Sequence, residues 1–111
     1  MILTLEIVGT NAGKFGADSR KIFKSCGGTL GRSPQCDWTL PDPYISWEHA
    51  SVKYADERFL ITDTSSNGLF VLINEESTPL TEPYVLRNGD HLLLDAYEVR
   101  ATLLDDDGLG A

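Results

Sequence analysis

Sulfur and imidazole are scarce in this 111-residue chain, which holds two cysteines, two histidines and one methionine. Cys26 and Cys36 are too few for a disulfide framework. They read as two reduced thiols, although residues ten apart can meet across a hairpin, so one bridge stays open. The Cys and His side chains stand at no zinc-ligand spacing, and no metal is expected. No stretch approaches the about 18 apolar residues of a membrane span, which argues against membrane insertion. Glu6 interrupts the apolar alternation of the first eight residues and no basic segment precedes it, so no secretory signal is expected and the location reads as cytoplasmic. There is no internal repeat, no nucleophile elbow and no Gly-rich nucleotide loop, so no cofactor is expected.

Positive charge is also short. The chain carries 9 Lys+Arg against 17 Asp+Glu, a net charge of −8. It is unevenly spread: residues 1–32 hold five of the cations and two of the acids, a balance of +3, and residues 33–111 carry −11. Nonspecific nucleic-acid binding needs a broad basic surface, so nucleic acid is excluded as a partner. A single anion is not, because distant acids are screened beyond a Debye length of about 8–10 Å.

What is present is a globular composition, 41% hydrophobic and 23% charged, of a length that fits one domain. Short alternating runs dominate. Leu3, Leu5 and Ile7 alternate with Thr4, Glu6 and Val8, so residues 2–8 read as a strand. Strands are also expected over 20–25, at Thr29-Leu30 and over 38–40, with Trp38 as core or sheet-edge packing. Pro41-Asp42-Pro43 breaks any regular element. Residues 50–55 and 58–63 read as a hairpin closed at Asp56-Glu57, followed by a small polar loop over 64–68 and strands over 69–73, 91–95 and 97–104. About ten short strands and no convincing amphipathic helix point to an all-β sandwich or barrel. Asp105-Asp106-Asp107-Gly108 reads as the start of a linker, so the chain is expected to be a module cut from a longer protein.

Three segments carry the chemistry: Gly31-Arg32-Ser33, Ser46-Trp47-Glu48-His49 and Ser65-Ser66-Asn67-Gly68. All fall at strand ends or in loops, where recognition on a rigid sandwich usually sits. Arg32 offers a planar fork of donors, Ser46 and Ser66 each offer a hydroxyl, and Asn67 offers both a donor and an acceptor. Each also has a plain structural reading. Arg32 alone is a surface arginine after a turn glycine, Ser46 a turn former, His49 a satisfied structural histidine and Asn67-Gly68 a turn pair tolerant of positive φ.

Taken in order, GR, then SxxH, then NG, with Asn88-Gly89-Asp90 as a late turn, the pattern resembles the forkhead-associated (FHA) domain. The resemblance runs from about Leu3 to Leu104, so residues 1–104 read as the domain and 105–111 as the start of a flexible linker or tail. It implies an antiparallel β-sandwich of about eleven strands in two sheets and phosphothreonine-peptide binding without catalysis. The family's contacts fall on Arg32, Ser46, Ser66 and Asn67, and Gly31, His49 and Gly68 match its loop-shaping positions. Cys36 to Pro43 and Ala96-Tyr97-Glu98-Val99 further resemble bacterial FHA proteins associated with type VI secretion. The expected partners are therefore a phosphothreonine-containing protein, a Ser/Thr kinase or its substrate, and type VI secretion components.

The pattern departs from the family at Trp47, where a basic or amide residue is common; Trp47 is expected to pack on a peptide side chain. Glu48 is expected to point away from the phosphate, and Leu69, where threonine is common, reads as packing. These departures leave one alternative function, a degenerate FHA scaffold that binds its partner independently of phosphate. An enzyme built on Ser46, His49 and Asp63 has poor triad geometry, because the serine stands three residues before its histidine in a loop.

Overall fold

The computed structural model describes residues 1–9, 13–66 and 68–104. Asn67 and the expected linker at 105–111 lie outside the described residues. Among the described residues, eleven strands form two sheets. They are β1 (Ile2–Val8), β2 (Arg20–Phe23), β3 (Gly28–Gly31), β4 (Trp38–Thr39), β5 (Ala50–Ala55), β6 (Arg58–Asp63), β7 (Leu69–Ile73), β8 (Glu76–Pro79), β9 (Tyr84–Val85), β10 (His91–Leu94) and β11 (Tyr97–Leu104). One sheet has the order β2-β1-β11-β10-β7-β8 and the other β4-β3-β5-β6-β9. No helix among the described residues is long and apolar enough to cross a membrane.

The alternation in the sequence is the cause of the layering. Leu3, Leu5 and Ile7 of β1, Val52 of β5, Phe59 and Ile61 of β6, Leu92 and Leu94 of β10 and Val99 and Ala101 of β11 are all buried and meet in one core between the sheets. Burying a large apolar side chain of this kind stabilises the fold by about 1.5–3 kcal/mol. β1 and β11 pair along their length, from Ile2 opposite Leu104 to Val8 opposite Glu98. Trp38 is buried on β4, at the edge of the smaller sheet, and its indole N–H donates to the Asp18 carbonyl at 2.6 Å.

Four features differ from the sequence expectation. The strand expected over 20–25 ends at Phe23, because the chain turns there: the Gly27 N–H bonds the Lys24 carbonyl at 2.9 Å and Gly27 has φ 68°. A single 3-10 turn, Gly16–Ser19, precedes it, too short to carry an amphipathic signal. β8 and β9 were not legible: β8 is exposed at every position and so shows no alternation, and β9 has two residues. The sandwich is not wholly antiparallel, since β3 and β4 run parallel with Leu30 opposite Trp38. Cys26 and Cys36 are both free thiols.

The smaller sheet decides where the three chemistry-bearing segments go. β3 pairs antiparallel with β5, and β5 with β6, in a register that aligns Leu30, Ala50 and Asp63. The end of β3, the start of β5 and the end of β6 therefore lie at one end of the sandwich. Residues 31–33, 46–49, 64–66 and Gly68 all emerge there. The turns at Asp56-Glu57 and Asn74-Glu75 lie at the other end.

Candidate phosphopeptide-binding loops

Backbone pairing joins the first two segments directly. The Arg32 N–H donates to the Ser46 carbonyl at 3.0 Å, the Ser33 N–H to the Trp47 carbonyl at 3.1 Å and the His49 N–H to the Leu30 carbonyl at 2.8 Å. Gly31 sits inside this contact. A Cβ there would stand 2.5 Å from the Trp47 carbonyl oxygen, 2.8 Å from the His49 nitrogen and 2.9 Å from the Ser46 carbonyl oxygen. All three are backbone atoms, so only glycine fits.

His49 joins the second segment to the third. Its side chain is wholly buried. The Ser46 N–H donates to Nδ1 at 3.1 Å, so Nδ1 carries no proton in this arrangement. Nε2 then carries the hydrogen and donates it to the Gly68 carbonyl at 3.1 Å. Burial pushes the imidazole pKa down, against the opposing pull of the Gly68 carbonyl and of Asp63 and Asp95, so the neutral ring is the resident form. Gly68 itself has φ 97°, a left-handed conformation that favours glycine.

The third loop is closed by residues the sequence reading did not single out for this role. One oxygen of Asp63, Oδ1, accepts the Ser65 N–H at 2.9 Å and the Ser65 hydroxyl at 2.5 Å; the other, Oδ2, accepts the Leu69 N–H at 3.0 Å. Ser65 Oγ in turn accepts the Gly68 N–H at 2.7 Å. Thr64 donates its hydroxyl to the Glu48 carbonyl at 2.8 Å and its N–H to the His49 carbonyl at 3.1 Å. An aspartate at a strand end followed by small polar residues is an Asx-turn signal that could have identified this closure.

The approach to Ser46 is fixed from the other side by a buried carboxylate. Asp42 Oδ2 accepts the Tyr97 hydroxyl and, at 3.1 Å, the Lys14 ammonium, and Oδ1 accepts the Tyr44 N–H at 2.8 Å. Burial pushes the Asp42 carboxyl up, but hydrogen bonds from Tyr97, the Tyr44 N–H and Lys14 outweigh it and hold the pKa below its ordinary value. Tyr97 lies 55 residues away, a pairing no local pattern reveals.

What this framework presents is a polar cluster of two hydroxyls and a guanidinium. Ser46 Oγ and Ser66 Oγ lie 3.2 Å apart, and the Ser66 N–H donates to Ser46 Oγ at 3.1 Å. The Arg32 side chain is exposed, and its backbone N–H is bonded to the Ser46 carbonyl in the loop before β5. Its Nε–H donates to the Ile45 carbonyl at 3.2 Å, and its guanidinium carbon lies 5.3 Å from the Trp47 ring centroid. Trp47 is 55% exposed, and Glu48 is also exposed. Two hydroxyls that can rotate, and a guanidinium whose terminal nitrogens bond no group among the described residues, can donate to an anion with several acceptor oxygens. The arrangement is not that of a triad: both His49 ring nitrogens are engaged by backbone groups, and neither contacts Ser46 Oγ or the Asp63 carboxylate.

The FHA family profile, described as the FHA domain, matches residues 28–95. The chain belongs to the FHA family. Among solved structures, the FHA domain of the CT664 protein from Chlamydia trachomatis is similar, with 23% identity and a TM-score of 0.76 over 95% of this chain and 100% of that one. The N-terminal FHA domain of Rad53p from S. cerevisiae, solved with a phosphothreonine peptide, is 16% identical with a TM-score of 0.75 and full coverage of both chains, 100% each. EmbR from Mycobacterium tuberculosis, solved with a low affinity phosphopeptide, is 20% identical with a TM-score of 0.73; the match covers 91% of this chain and 24% of EmbR. At these identities the likeness speaks to the fold. No curated protein matches the sequence.

Proposed function

We propose that this FHA domain binds phosphothreonine peptides through Arg32, Ser46 and Ser66, with Asn67 pairing the peptide main chain. The observation that carries the reading is the convergence of the two serine hydroxyls, 3.2 Å apart, where the Ser46 loop is tied to the Arg32 backbone N–H. A phosphothreonine carries about −1.5 to −2 charge and three strong acceptor oxygens, which a guanidinium and two hydroxyls match in number and sign. Phosphothreonine peptides seated on FHA relatives such as Rad53p support the same ligand class. The module acts as a reader and not as an enzyme.

The finer reading is that it couples a Ser/Thr kinase, or that kinase's substrate, to assembly or regulation of a protein complex in the bacterial cytoplasm. The segments Cys36 to Pro43 and Ala96 to Val99 support a type VI secretion system as that complex.

Binding to a degenerate phosphothreonine peptide library, followed by fluorescence anisotropy, tests the reading. Phosphothreonine-dependent binding is expected, absent for unphosphorylated peptides and weak for phosphoserine. No binding to any phosphopeptide by the folded domain would instead favour a scaffold that works without phosphate.

A further inference from the structure

We infer that Trp47 is a positioning residue: it holds the Arg32 guanidinium so that the two terminal nitrogens, and not Nε, face a bound phosphate. The inference rests on the phosphothreonine reading and concerns the same site.

A free arginine side chain samples many rotamers and loses them when it binds, which weakens binding. Two contacts restrain Arg32 before any ligand arrives. The Nε–H bond to the Ile45 carbonyl, at 3.2 Å, pins one edge of the guanidinium. The Trp47 ring, with its centroid 5.3 Å from the guanidinium carbon, lies within the about 6 Å reach of a cation–π contact. Together they restrain the guanidinium at its Nε edge and from the side of the indole ring.

The restraint also selects a binding mode. A guanidinium can meet two phosphate oxygens side-on, through Nε and one terminal nitrogen, or end-on, through both terminal nitrogens. In this domain the side-on edge is occupied by Ile45, so the end-on fork remains. A lysine at position 32 would supply charge but neither the pinned edge nor the fork.

The indole is well placed for this role. The Trp47 carbonyl accepts the Ser33 N–H at 3.1 Å and the Cys36 thiol at 3.5 Å, so the backbone that carries the ring is tied to the backbone that carries Arg32. The side chain is 55% exposed and therefore contributes little to the core. Its removal is expected to leave the fold intact. This role differs from packing on a peptide side chain, because it acts in the free domain.

The test follows the Arg32 Nε–H resonance by 15N NMR in the free domain, in Trp47→Ala and in Trp47→Phe, alongside anisotropy with the tightest phosphothreonine peptide from the library. In the free wild type the resonance is expected to be ring-current shifted and slow to exchange with solvent. Trp47→Ala loses both properties and binds the peptide about two- to fivefold more weakly. Trp47→Phe retains the signature and most of the affinity. An unchanged Arg32 signal in Trp47→Ala, or equal affinity of the two proteins, overturns the inference. A mobile Arg32 in a wild type that binds phosphothreonine tightly removes the positioning role alone. A held Arg32 in a wild type that binds no phosphopeptide removes the phosphothreonine reading, and this role with it.

Discussion

The two ends of this sandwich close their chain connections by different physics. At one end, Asp56-Glu57 and Asn74-Glu75 join strands with two-residue turns, all four residues at positive φ between 51° and 67°. Backbone geometry alone makes these hairpins, and the turn residues are exposed. At the other end the connections are longer, and polar side chains hold them: His49 bridges the Ser46 and Gly68 loops, and Asp63 bonds the N–H groups of Ser65 and Leu69. The lesson is that an irregular loop keeps one shape only when buried polar groups satisfy its backbone. A shape held in that way can present Arg32, Ser46 and Ser66 together, and a minimal turn cannot.

The contrast is open to breakage by substitution, and the largest effect is expected on binding. Arg32→Ala should weaken a phosphothreonine peptide by about tens- to thousands-fold, because it removes one partner of a charge pair. Thermal stability should stay near wild type, since Arg32 is exposed. Anisotropy and a melting curve on the same sample check both halves.

Gly31→Ala comes next. Its new Cβ would press on three backbone atoms at 2.5–2.9 Å, none of which can rotate away. A stability loss of about 1–3 kcal/mol by urea denaturation is expected, together with weaker peptide binding. A comparable alanine at Asp56, across the molecule, should change neither binding nor the shape of the site.

His49 gives a pH-dependent version of the same test. An unfolded imidazole titrates near 6.5 and burial lowers the folded one, so between those values the unfolded chain binds more protons. Stability should therefore fall as pH falls below about 6.5 and be fully present above it. Protonation of Nδ1 also costs the bond from the Ser46 N–H. In His49→Asn the overall stability should be lower but its slope through this pH window should flatten. Denaturant midpoints at pH 7.5, 6.5 and 5.5, chosen as about one pH unit apart around the free imidazole value, give the slope.

The smallest effect should come from the opposite end. Replacing Asp56-Glu57 with Asn-Gly, the pair suited to positive φ, should stabilise the domain by roughly 0.5–1 kcal/mol. Peptide affinity should not move.

Legibility in the sequence follows the same division. The hairpin β5–β6 and the long pair β1–β11 were readable because alternation of buried and exposed side chains is a local signal. β8 was not, because an edge strand exposed on both faces has no alternation to read, although the Asn74-Glu75 turn before it fixes its pairing. The parallel step from β3 to β4 is not legible, because a two-residue strand such as β4 carries no directional pattern. The three chemistry-bearing segments could be named from residue types and order, and the β3-β5-β6 register explains why they share one end. The supporting bonds could not be read in the same way. Tyr97 to Asp42 spans 55 residues, and the contact of Arg32 with Trp47 depends on two loops meeting in space.

One measurement addresses the division of labour between the two ends most directly: backbone amide shifts recorded while the tightest phosphothreonine peptide is added, with its unphosphorylated twin as control. Large phosphate-dependent shifts are expected at Arg32, Ser46, Trp47, Ser66 and Gly68, and none at Asp56, Glu57, Asn74 or Glu75. Shifts centred on the hairpin turns, or the same shifts with the unphosphorylated peptide, would contradict that division of labour.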